Sequence, residues 1–190
     1  ETDGYNNTPQ DSSNLAAEWG LSNFDLRHRL SSSLIYDLPQ PMVSFLFQNW
    51  QLSSILVFQT GRPFTPRLEV DNSNTGNLGG VFGYDRPNLV GSPKLDNPDP
   101  DQFFDPDAFQ IAESFSFGNA GRNILSGPGF ASLDVALFRE FELTEDYTLH
   151  VRAEIFNALN RANFQLPDGF IGRPTFGRVL AAFPAREIQL

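Results

Sequence analysis

Few side chains in this sequence are equipped for chemistry, and their spacing suits almost none of it. There are two histidines, His28 and His150, one methionine and no cysteine. Without thiols, disulfides, thiolate metal sites and cysteine catalysis are all excluded. Neither histidine has a second histidine or a carboxylate at metal-ligand spacing, and there is no HExxH run. No serine sits in a GxSxG elbow. Gly118-Asn119-Ala120-Gly121-Arg122-Asn123 has the glycine density of a phosphate loop. It lacks the closing Lys-Ser/Thr and a strand–turn–helix setting, so it reads as a turn leading back into a strand. Asp96, Asp99, Asp101, Asp105 and Asp107 could offer oxygen ligands to Ca²⁺. Prolines interleave the run and the twelve-residue EF-hand pattern is missing, so a rigid exposed loop is the better reading. The expectation is a non-enzymatic chain with no cofactor and no metal. What remains are charged pairs two residues apart, Arg27 with Arg29 and Arg152 with Glu154, a spacing that puts both members on one face of a strand.

The elements that position those pairs are strands. From Asp25 to Leu38 the sequence alternates, with Leu26, Leu30, Leu34, Tyr36 and Leu38 on one face. Asp25, Arg27, Arg29 and Asp37 fall on the other. His28 falls on the apolar face, where interfacial packing is expected. Pro39 and Pro41 end this strand, having no N–H to give to a ladder. A second strand carries Trp50, Leu52, Leu56 and Phe58 on one face, and a third runs from Phe130 to Phe141. After a polar turn at 142–146, a fourth puts Tyr147, Leu149, Val151, Ala153 and Ile155 opposite His150, Arg152 and Glu154. A fifth begins near Ala185. Residues 1–24 read as a loop or frayed segment, 61–129 as a loop with short strand segments near Phe64–Val70, and Asp107–Glu113 as a turn or two of helix.

The connections near 39–47 and 142–146 are short, whereas those at 61–129 and 158–185 are long. Short turns at one end and long loops at the other is the asymmetry of an outer-membrane barrel. Its strands would place Leu52, Leu56, Leu149, Val151 and Ile155 against lipid. Arg27, Arg29, His150, Arg152 and Glu154 would face a lumen or a plug, and Tyr36, Trp50, Phe58 and Tyr147 would lie at the membrane interfaces. Arg139 shares the apolar side of its strand and is expected to snorkel at the rim, with Glu140 and Glu142 close in sequence. No run of 18 apolar residues exists, so no transmembrane helix is expected. The formal charge of -10 over 190 residues argues against nucleic acid as a partner. Five strands are too few to close a useful barrel, so the chain reads as a fragment that other strands must complete. A soluble β domain that packs the same apolar faces into a core is the competing reading.

Several segments resemble the carboxy-terminal part of TonB-dependent outer-membrane receptors, in particular the Oar-like group with a carboxypeptidase-regulatory-like domain. They are Asp25-Leu26-Arg27-His28-Arg29 leading to Tyr36-Asp37-Leu38-Pro39, and Asn49-Trp50-Gln51-Leu52-Ser53 leading to Phe58-Gln59-Thr60-Gly61-Arg62-Pro63-Phe64. Phe104-Asp105-Pro106, Gly118–Asn123 and Gly127-Pro128-Gly129-Phe130 follow. The strongest is Arg152-Ala153-Glu154-Ile155-Phe156-Asn157-Ala158-Leu159-Asn160-Arg161-Ala162-Asn163-Phe164, backed by Phe176-Gly177 and Ala185–Leu190. The resemblance implies an all-β fold in which residues 1–190 are the last antiparallel strands of a large transmembrane barrel, closed around a plug, in the bacterial outer membrane. It implies as partners outer-membrane lipid, the plug and remaining strands, an unidentified solute, and the TonB complex through an amino-terminal region outside this sequence. A cell-surface interaction or adhesion module without transport is the alternative function.

Overall fold

A computed structural model describes residues 8–39, 49–79 and 83–190. The alternating stretches form one five-stranded antiparallel sheet from β1 (Arg29–Asp37), β2 (Trp50–Gln59), β8 (Phe130–Thr144), β9 (Tyr147–Phe156) and β11 (Glu187–Gln189). Its order is β1-β2-β8-β9-β11, with β1 and β11 at the edges. The remaining strands are two-residue pieces: β3 (Pro63–Phe64), β4 (Arg67–Leu68), β5 (Asn88–Leu89), β6 (Phe109–Gln110), β7 (Leu125–Ser126) and β10 (Phe170–Ile171). The chain divides into two compact units. Arg27–Thr60, Gly129–Asn163 and Phe183–Leu190 make the sheet unit; Glu1–Leu26, Gly61–Pro128 and Phe164–Ala182 make the loop unit.

Within the sheet unit, Arg29 pairs with Gln59, Gln59 with Phe130, and Glu187 with Phe156. The start of β1, the end of β2, the start of β8, the end of β9 and the start of β11 therefore share one end of the sheet. The opposite end carries the Glu145–Asp146 turn of the β8–β9 hairpin. The first strand is shorter than its alternation predicts, starting at Arg29 rather than Asp25. A local turn competes: the Ser22 hydroxyl accepts from the Phe24 amide and the Ser22 carbonyl from that of Asp25. β8 is longer than expected, reaching Thr144, and gains a bulge because Glu142 pairs with Thr148 while Thr144 pairs with Tyr147. The connection at 40–48, expected to be short, lies outside the described residues, as does Pro41.

The loop unit has a core of its own, and phenylalanine builds it. The Phe104 ring meets those of Phe64, Phe109 and Phe176 at centroid separations of 6.0, 5.9 and 5.0 Å, mostly edge-to-face. Ala108, Ala120 and Leu125 complete the buried cluster. Short ladders pin the segments around it: β3 with β7, β5 with β6, and β4 in parallel with β10. The helical turns expected over Asp107–Glu113 reduce to a 3-10 turn at Pro106–Ala108 followed by β6. Pro106 opens that turn and Asp105 caps it by accepting the Asp107 amide, whereas burial of Phe109 against the core draws the chain out straight.

Of residues 1–24, read as a loop or frayed segment, those from 8 onward form a loop with one 3-10 turn at Leu15–Glu18, tied down by hydrogen bonds. Gln10 is buried, giving its side-chain amide to the Gly118 carbonyl and accepting the Arg86 amide. The Arg86 guanidinium pairs with Glu18 at 2.8 Å. Asp85, wholly buried at 0% exposure, accepts from the Ser73 amide and hydroxyl and from the Asn77 side chain. Asn77 in turn donates to the Gln10 carbonyl.

Candidate functional site

The candidate site is the pair of faces of the five-stranded sheet, because register decides which side chains share a surface. In an antiparallel ladder, directly paired residues point the same way. Tyr36 pairs with Leu52 and Leu52 with Leu137; Leu56 with Leu133; Phe58 with Ala131; Val135 with Ile155 and Arg139 with Val151. One face therefore gathers all five aliphatic candidates, Leu52, Leu56, Leu149, Val151 and Ile155. The four aromatic candidates, Tyr36, Trp50, Phe58 and Tyr147, lie on it too, and Ile188 of β11 extends it through its pairing with Ile155. Leu30, Leu34, Ile188 and Leu149 are exposed there, so the sheet unit does not cover this surface itself.

Trp50 and Phe58 stand eight residues apart on β2. At a rise of about 3.3 Å per residue that separation is about 26 Å along the strand. A tilt of about 40° brings it to roughly 20 Å of height, comparable to the apolar band of a membrane barrel.

Among the described strand residues, Arg139 is the one charge on this face, and it is 2% exposed. Its guanidinium carbon lies 3.8 Å from the centroid of the Phe141 ring and 5.5 Å from that of Trp50. Glu140 and Glu142 pair with His150 and Thr148 on the other face, so the ion partners expected from sequence proximity are on the wrong side. The faces of two aromatic rings lie against the cation, a favourable arrangement.

The opposite face carries the charge. Arg29, Asp37, Asp134, Glu140, His150, Arg152, Glu154 and Glu187 share it by register. Arg152 donates to Glu154 at 2.5 Å. His150 lies 3.9 Å from Glu140 and stacks on Phe138. The Gln51 side chain donates to Asp37. Arg27 precedes β1, which the turn at Ser22 delays to Arg29, so ladder register does not assign it a face. His28 sits just outside β1, exposed, and is joined to Thr60 through its backbone.

Sequence reasoning missed a set of asparagines that end the sheet. β9 stops at Phe156, leaving the Ala131 end of β8 paired with β2 on one side but without a strand on the other. Asn163, 2% exposed, supplies one: its side chain accepts the Ala131 amide and donates to the Ala131 carbonyl, both at 2.9 Å. Asn157, in a left-handed backbone at φ 47°, accepts the Arg161 amide and donates to the Arg161 carbonyl. Asn160 accepts the Arg186 amide leading into β11. The spacing Asn157, Asn160, Asn163 was the available signal.

The other motif segments also have structural duties. A Cβ on Gly61 would lie 1.7 Å from the Gly127 carbonyl oxygen, and one on Gly118 would lie 2.1 Å from that of Arg86. Both glycines permit backbone contacts that a side chain would prevent. Asn119 exchanges hydrogen bonds with Asn88 and Leu89, and Asn123 with Thr65. In the acidic run, Asp99 accepts the amides of Asp101 and Gln102, Asp105 that of Asp107, and Asp101 pairs with Arg178. Among the described residues no cluster of three or more His, Asp or Glu side chains is placed to hold a metal ion. No described helix is long and apolar enough to cross a membrane, which says nothing of strands.

An antiparallel sheet with a largely apolar face, a charged opposite face and long connections that leave and re-enter at one end is the pattern of an outer-membrane β-barrel wall. A family model described as "Outer membrane beta barrel domain" matches residues 1–189, and the chain belongs to that family. Its place is the bacterial outer membrane. Neither the curated proteins nor the solved structures yielded a match.

Proposed function

We propose that this chain forms part of the wall of a TonB-dependent outer-membrane transporter that takes up a solute using inner-membrane energy. The two-faced sheet carries the reading. Leu52, Leu56, Leu149, Val151 and Ile155 contact acyl chains; Tyr36, Trp50, Phe58 and Tyr147 sit at the two interfaces. Arg29, His150, Arg152 and Glu154 face the lumen and the plug, and Arg27 stands at its margin. Lipid admits strands only in a closed sheet, so further strands complete the barrel across the edges of β1 and β11. The ordered motifs of the TonB-dependent group support transport over passive diffusion. The packed loop unit supplies a surface for capturing a solute.

The test uses the full-length gene product. Purified in detergent, it should bind the periplasmic domain of TonB, and in a planar bilayer it should show no steady conductance, because a plug fills the lumen. An open channel indifferent to TonB would make it a porin. The second reading, a surface interaction module, draws on the loop unit having its own core; a closed barrel that binds no TonB would favour it.

A further inference from the structure

The loop unit contains a groove of about 400 Å³ that the wall function does not use. That volume lies within the range of small-molecule sites, about 300–1,000 Å³. Two buried residues, Phe104 and Leu125, lie deepest in it, and both belong to the phenylalanine core. Pro93, Leu95, Phe103 and Ile124 line its upper part, partly exposed. The walls are fixed in advance: the Phe103 amide donates to the Gly177 carbonyl, the Asp105 amide to that of Pro93, and Leu125 is paired with Phe64 in β3–β7. A preformed apolar wall loses little freedom when a ligand arrives.

One charged residue lines the groove: Lys94, the single lysine of the chain. Its side chain is exposed at the rim, and among the described residues it forms no ion pair. We propose that the groove binds a small organic monoanion, with its apolar body seated over Phe103 and Leu125 and its carboxylate-type group held by the Lys94 ammonium. The single charge follows from the surroundings. Asp96, Asp99, Asp101 and Asp105 flank the lysine in sequence, so a polyanion meets a repulsive field, while one charge is matched by Lys94 at contact distance. Asp99, Asp101 and Asp105 are engaged with loop amides or with Arg178, and neither they nor Asp96 lies within ion-pair distance of the ammonium, which leaves it to the ligand. This site rests on the transport reading for where a bound solute goes next, and not for binding itself.

The probe is 2-naphthoate, titrated calorimetrically into the full-length protein in lipid nanodiscs. It should bind saturably at one site per chain, and more tightly than neutral 2-naphthol. Lys94→Gln should weaken naphthoate about tenfold, the order of a lost charge-assisted bond, while leaving 2-naphthol unchanged. Lys94→Arg should restore most of the loss, and Phe103→Ala should weaken both probes. Heat-modifiable gel mobility of each variant reports that the barrel is intact. No saturable naphthoate binding, or equal affinity in the Lys94→Gln protein, would overturn the site. Naphthoate binding in a protein that ignores TonB would keep the groove and remove the transport reading. TonB binding without naphthoate binding would do the reverse.

Discussion

At the residue scale, Asn163 shows how one side chain can stand in for a strand. Its amide, on a side chain that is itself buried, satisfies both the donor and the acceptor of the half-buried Ala131. Asn163→Ala leaves two backbone groups unpaired and should cost about 1–3 kcal/mol. Asn163→Asp is expected to be no better, since a carboxylate can accept the Ala131 amide but sets a negative oxygen against its carbonyl. Urea unfolding of the full-length protein in detergent measures both; an unchanged midpoint for Asn163→Ala would show that the ladder ends without it. Arg139 makes the complementary case. Its neighbours Trp50 and Phe141 hold the cation by their ring faces, a contribution of about 0.5–2 kcal/mol. Near the interface a charge on the lipid side costs only about 0–1 kcal/mol. Arg139→Leu should therefore shift stability by about 1 kcal/mol or less, whereas Arg139→Glu, which faces the same rings with the opposite charge, should lose more. If Arg139→Leu collapses the fold, the rings are not what holds this cation.

At the scale of elements, parity along a strand governs the consequence of a charge. Val151 and Arg152 are adjacent on β9, yet register assigns them to opposite faces. Val151 is level with Arg139 near the interface, so the sharper test is Ile155, on the same face and level with Val135 and Ser54 midway between Trp50 and Phe58. Ile155→Arg puts a guanidinium against acyl chains and should cost about 2–4 kcal/mol. Arg152→Val removes an exposed pair with Glu154, worth about 0–1 kcal/mol. Unfolding in lipid vesicles should show that asymmetry, and equal costs would mean that lipid touches neither face. β4 and β10 offer a pH-dependent joint instead. Arg173 donates to Glu69 across their ends and, at 3.5 Å, to Asp168. The hydrogen bond from Arg173 holds the Glu69 carboxyl below its ordinary value of 4.5. A depressed carboxylate contributes fully above that ordinary value and stops contributing as pH falls through the lower folded-state one. Hydrogen exchange over residues 168–178 should accelerate on acidification below pH 4.5 in the native protein, relative to Glu69→Gln at each pH. Identical profiles would show that the pair does not hold the joint.

The same parity explains what could be read in advance. Ser54 sits among the apolar side chains, and Ile55, Val57 and Phe156 lie opposite them; even so, β2 and β9 alternate well enough that their bounds follow from the pattern alone. The bulge at Leu143 and the late start of β1 do not, because each depends on a local competition that alternation does not encode. Arg139 fits its surface only once Trp50 is known to pair with it across strands. Sequence parity gives a face and never a neighbour. The loop unit was least legible: Phe64, Phe104, Phe109 and Phe176 are brought together by two-residue ladders too short for any period to appear.

For the whole molecule, the ladder ends let the two long connections be cut out as pieces. Gln59 and Phe130 are direct partners, so a short turn can replace everything between 61 and 128 without moving either strand. Phe164 and Ala182 are also bridged, which gives the second excision, of 165–181, an equally narrow gap. Removing both takes away the entire phenylalanine core at once and spares the asparagines that finish the sheet, all of which lie at or before Asn163. Loops that pack on themselves are tolerated or lost as units, since their closing cost grows only slowly with length. The doubly excised full-length protein should therefore still reach the outer membrane and keep its heat-modifiable mobility, while losing calorimetric binding of 2-naphthoate. Failure to assemble would show that the loop unit is part of the folding of the wall, and retained naphthoate binding would place the site elsewhere in the chain.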